Sequence, residues 1–178
     1  MKLKNLILTA LLLAIGMMLH QFAPPIFGMK PDFLLSMMFV SMFFNEDYKS
    51  TLIIGLTSGV LTAATTTFPG GQLPNLIDKI ITCQLIYILI ILLEKCNYIF
   101  KISNTLKLAI VSILGTIVSG TVFLGGANLL FSLPAPFKIL FLTVVLPASL
   151  INTATSLLLF NIINIAAKRS GLSKILEK

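Results

Sequence analysis

Six apolar runs follow one another along this chain, at residues 5–22, 32–45, 51–67, 75–93, 106–131 and 139–166. In lipid, peptide groups find no water, so runs of this kind satisfy their backbones by coiling into helices. Charge is scarce to match: 11% of the residues are charged, against roughly 25% in a soluble domain. With 57% hydrophobic residues and a mean hydropathy of +1.01, the expectation is an all-α integral membrane protein of six transmembrane helices. One domain over 1–178 uses the whole chain and leaves no room for a soluble, nucleotide-hydrolysing unit. The second run is short, and a tilted or partly re-entrant segment is expected there. The opening MKLKNLILTALLLAIGMML resembles a signal peptide, with Lys2 and Lys4 ahead of the apolar run. No A-x-A site follows it, so it reads as an uncleaved first helix.

The connections alternate in character. NEDYKS (45–50) and EKCNYIFKISNTLK (94–107) are charged; APPIFGMKP (23–31), FPGGQLP (68–74) and SLPAPFK (132–138) are rich in proline, glycine and aromatics. Ten of the 13 basic residues then fall on one side with both termini, and only Lys30, Lys79 and Lys138 on the other. By the positive-inside rule both termini are cytoplasmic, which an even number of spans permits. The net charge of +7 belongs to that bias and does not argue for nucleic acid. Cys83 and Cys96 fall in a span and in an inner loop, with no disulfide, metal site or cofactor suggested. A lone His20, two unpaired cysteines and few carboxylates make no catalytic constellation, so an enzyme is not expected.

Polar groups inside a membrane domain are costly, so their placement is informative. On this topology they gather at the outer ends. Lys30 and Asp32 bracket Pro31; Thr65, Thr66 and Thr67 end the third run; Phe68, Gln72, Asn75, Asp78 and Lys79 follow; Gly126 and Asn128 lie near the outer end of the fifth. Such a set converges on an outward-facing pocket rather than on a path through the membrane. Structural roles compete at each position. Asn75 after Pro74 suits a helix cap, and Asp78 would then sit at the third helical position, as in a capping box. A lysine in the first helical turn opposes the macrodipole, so Lys79 needs a partner, either Asp32 or an anionic ligand. Adjacent helical residues point about 100° apart, so Asp78 and Lys79 are not expected to face one point. The glycines of FPGGQ serve a tight turn or a close approach to ligand, and Gly125-Gly126 suits helix packing. His20 is read as an interfacial residue and Asn152 as an interhelical hydrogen bond. On the first helix, Ala10 and Ala14 make a small-xxx-small face on which another helix can pack.

In order along the chain, TALLLAIG, FGMKPD, TTTFPGGQLPNLIDK and LPASLINT resemble the tryptophan-specific S components of energy-coupling factor (ECF) transporters. The likeness runs from the first helix to the sixth. It implies a six-helix, non-enzymatic substrate-binding subunit in the cell membrane of a prokaryote. Such a subunit captures L-tryptophan outside, docks on a transmembrane coupling (T) protein and topples to release it, while two cytoplasmic ATPases hydrolyse ATP. The family's alanine motif, its docking surface, falls on Ala10 and Ala14. For a zwitterion, Lys79 or Lys30 would meet the carboxylate and Asp32 or Asp78 the ammonium. Threonine hydroxyls, Gln72 and Asn75 would complete the hydrogen bonds, with Asn128 as acceptor for the indole N–H and phenylalanines on the ring. Two alternatives remain at this point: an S component for another small molecule such as a vitamin, or a membrane scaffold of the cell-shape type.

Overall fold

A computed structural model describes residues 3–24, 32–45 and 47–169. Among these the chain is all-helical: α1 (Leu3–Phe22), α2 (Phe33–Phe44), α3 (Tyr48–Thr65), α4 (Gln72–Phe100), α5 (Asn104–Leu130) and α6 (Phe137–Arg169). Four of the six, α1, α4, α5 and α6, are long and apolar enough to cross a membrane. With 12 residues, α2 rises only about 18 Å, short of a hydrocarbon core about 30 Å thick. With its glycines, serines and threonines, α3 is less apolar than the four.

Local chemistry sets the helix ends. Asp32 caps α2, its Oδ1 accepting from the Leu35 amide at 3.0 Å. Asp47 caps α3 through the Ser50 amide at 2.9 Å, and Ser103 caps α5 through Leu106. The start of α4 differs from expectation. The helix begins at Gln72 with no side-chain cap, and Pro74 sits inside its first turn, where its missing N–H has no intrahelical partner to lose. Asn75 is therefore not the cap; its side-chain amide donates to the Gly71 carbonyl at 2.8 Å. Ahead of it, Gly71 N–H closes on Phe68 O at 2.9 Å, with Gly70 at φ +72°, a conformation that glycine adopts without strain.

Packing is arranged around α2. Its residues from Leu34 to Phe43 are all buried, and α1, α3, α4, α5 and α6 all touch it. A helix apolar on every side is stable only when enclosed. Glycines let its neighbours close in: a Cβ on Gly16 would lie 2.6 Å from Met37 Cγ, and one on Gly115 would lie 2.7 Å from Phe39 Cε1. Gly16 thus belongs to the α1–α2 seam, while Ala10 and Ala14 are exposed on the opposite face of α1.

The surface is apolar and the interior partly polar. Leu6, Leu11, Met18, Ile88, Leu150 and Ile165 are among many exposed large hydrophobics, whereas Ser36, Asp78, Lys79, Thr82, Ser112 and Asn152 are buried. Water disfavours that distribution and lipid favours it. At the far end of the α4–α5 hairpin, Lys107 Nζ meets Glu94 Oε2 at 2.9 Å. Both cysteines lie on α4 and are free.

One irregularity bears on function. Within α6, Phe141–Val145 forms a wide π-type turn. Pro147 is the cause: it has no N–H to offer the carbonyl of Thr143 and its ring crowds that turn, so the helix widens there.

Candidate functional site

Between α1, α2, α4, α5, α6 and the turns around them lies a partly open cleft with about 610 Å³ of empty space, open solvent at its mouth included. One side is ionic. Lys79, 1% exposed, places Nζ 2.6 Å from Asp32 Oδ2 and 2.5 Å from Asp78 Oδ2, and donates to Ser119 Oγ at 3.3 Å. Asp78, 0% exposed, also accepts from Ser119 Oγ and from Thr82 Oγ1, both at 2.8 Å. His20 Nδ1 lies 3.7 Å from Asp32 Oδ1.

The cluster corrects three expectations about α4. Because the helix starts at Gln72, Asp78 is late in the second turn and caps nothing; its carboxylate is spent on Lys79, Ser119 and Thr82. Lys79 is likewise beyond the first turn, and both carboxylates within reach hold it. Nor do the two adjacent residues point apart, since the flexible four-carbon lysine stem bends its ammonium back over Asp78. Asp32 does double duty, capping α2 with one oxygen and pairing with Lys79 through the other. His20, read from sequence as interfacial, is buried beside it.

The other side of the cleft is apolar. Phe68 and Phe123 meet edge to face with ring centroids 5.5 Å apart, and Gly120, Val144, Val145 and Ala148 continue the wall. The consecutive residues Val144 and Val145, both at the cleft, belong to the wide turn of α6. A Cβ on Gly120 would fall 2.6 Å from Val145 Cγ2, so glycine sets how closely α5 and α6 approach.

Of the residues singled out in the sequence, Asp32, Thr67, Phe68, Asn75, Asp78 and Lys79 line this cleft. Gln72 and Asn128 are exposed and do not line it. Gly126 does not line it either; a Cβ there would make only ordinary contact with Pro74. Lys30 lies outside the described residues. The cleft also recruits residues not anticipated: His20, Thr116, Ser119 and Asn152. Thr116 and Ser119 are three apart on α5, one helical face, which is a legible signal. Asn152 was expected to bond across helices, and it does, donating to Thr116 Oγ1 at 3.3 Å.

An apolar helical exterior around a buried ionic cluster, with a cleft leading to it, is the make-up of a multi-helix membrane protein. The family model "Tryptophan transporter TrpP" matches residues 2–168, so the chain belongs to the tryptophan transporter family. Three relatives, each described as a probable tryptophan transport protein, align over nearly their whole length. That of Clostridium acetobutylicum is 48% identical, covering 96% of this chain and 95% of the relative. That of Clostridium perfringens is 44% identical, over 95% and 96%. The Bacillus subtilis relative is 40% identical, over 96% of each. No solved structure matches the chain significantly.

Proposed function

We propose that this chain is the membrane-embedded tryptophan receptor of an ECF transporter, and that the cleft beside Lys79 is its binding site. One observation carries the site assignment: among the described residues, two carboxylates face a single lysine at the edge of an apolar slot. A carboxylate excess attracts an ammonium group, and the slot suits a flat ring. Asp32, less enclosed than Asp78, receives the ammonium. Lys79 holds the carboxylates in place and can share its charge with the ligand carboxylate. Thr67, Asn75 and Phe68 stand at the same cleft, whereas Gln72, Gly126 and Asn128 have no place in this site.

All six helices cross or fill the bilayer, with α2 enclosed by the others. Both termini are cytoplasmic, on the charge count given above. The cleft faces outward. The exposed Ala10 and Ala14 docks on the coupling protein, which works with two cytoplasmic ATPases while this subunit itself hydrolyses nothing. Family membership supports tryptophan over a vitamin, and a transport role over a scaffold.

The chain contains no tryptophan, so the ligand's own fluorescence reports binding against a dark protein. Titrating the purified protein with L-tryptophan should give saturable binding that excess phenylalanine does not displace. A folded sample that shows no saturation refutes the receptor assignment.

A further inference from the structure

The floor of the cleft has an unfinished hydrogen bond. Asn152 of α6 is 0% exposed and lines the cleft. Its amide nitrogen is engaged by Thr116 Oγ1, and its backbone carbonyl accepts from Ser36 Oγ at 3.1 Å. Its Oδ1 is buried with no partner among the described residues. Several other buried polar atoms share that condition, but only Asn152 also belongs to the cleft lining. A buried amide oxygen without a donor is costly, and a ligand that brings an N–H removes the cost.

The position fits one donor well. Ser119 touches the ion cluster through Asp78, and Thr116 lies three residues deeper on α5, about 4.5 Å along the helix. Asn152 is level with Thr116, to which it bonds. A ligand whose α-amino group sits at Asp32 therefore reaches the Asn152 level with its ring, past Val144, Val145 and Ala148. We propose that Asn152 Oδ1 accepts the indole N–H of tryptophan and so selects it over aromatic side chains that lack the donor. This role rests on the cleft being the tryptophan site. Phenylalanine would fill the slot yet leave the acceptor unpaired, and sites built around a hydrogen bond discriminate strongly against such analogues.

The test compares L-tryptophan with 3-(3-benzothienyl)-L-alanine, in which sulfur replaces the N–H in a ring of nearly the same shape. Both are titrated onto the purified wild-type chain, the analogue by competition. Wild type should prefer tryptophan at least tenfold. In Asn152→Leu the preference should fall below threefold, chiefly through weaker tryptophan binding; Asn152→Ala serves if the leucine variant does not fold. Equal wild-type affinities overturn the proposal while leaving the tryptophan site standing, and so does an undiminished preference in a folded Asn152 variant. Failure of folded wild type to bind tryptophan at all is a different result, and it removes the receptor assignment together with this one.

Discussion

Replacing Lys79 by methionine keeps most of the side chain's length and deletes the charge shared by the buried Asp78 and the half-buried Asp32. At 2.5–2.6 Å, each contact has a Coulomb energy of about 6 kcal/mol at an effective dielectric near 20. The desolvation of three ions offsets most of that, so the net worth of the cluster is small. Its loss is not symmetric, however: breaking a buried pair by removing one partner costs about 3–5 kcal/mol, because the other charge is stranded. For a chain of this size that is roughly 6–20 °C of melting temperature, at about 2–4 °C per kcal/mol. Lys79→Met should therefore melt far below wild type and lose tryptophan binding. Adding Asp78→Asn removes one stranded negative charge and restores the original charge balance, so the double variant should recover at least half of the lost melting temperature. The assay is thermal unfolding of the detergent-solubilised protein, with ligand titration on each variant that stays folded. A Lys79→Met protein melting within 2 °C of wild type would falsify the view that the lysine neutralises the cluster. A double variant no more stable than the single would show that charge balance does not govern it.

Two further outcomes are expected. Ala10→Phe or Ala14→Phe should abolish tryptophan uptake by cells while leaving binding to the purified protein within about twofold; normal uptake would dissociate the exposed α1 face from docking. Hydrogen bonds from the Ser50 side chain and amide hold the Asp47 carboxyl below its ordinary value of 3.8, against a smaller opposing effect of burial. A depressed folded-state value means that the cap is fully present at neutral pH and is lost only as pH falls below 3.8 toward that lower value. Asp47→Ala should accordingly lower stability by about 1 kcal/mol at pH 7, with the difference shrinking in acid; a difference that grows in acid would reverse the assignment.

Helix existence was plain from the apolar runs, because lipid leaves the backbone no other economy. The role of α2 was not. A run of uniformly apolar residues has no face, so nothing in FLLSMMFVSMFF distinguishes a helix bathed in lipid from one enclosed by five neighbours. The start of α4 was misjudged because Pro74 was read as a boundary when it fits within a first turn. That shift of one turn moved Asp78 and Lys79 from capping positions into the interior of the bundle. Their convergence depends on the rotamer of a long lysine chain, which no spacing rule contains. The widened turn of α6 had a visible sign in Pro147, yet which residues it would swing toward the cleft depends on α5 lying close by at Gly120. Asn152 was legible as a buried polar group, but only the packing reveals that one of its amide atoms is satisfied and the other is not.

The enclosure of α2 has a consequence for how such a chain is made. Synthesis delivers α2 early, whereas α5 and α6, two of the helices that sheathe it, emerge last. Until they arrive, a helix of 12 residues lacks two of the neighbours that enclose it. A chain ending after α4 would carry Asp32, Asp78 and Lys79 without Ser119 of α5, which bonds to both Asp78 and Lys79 in the finished fold.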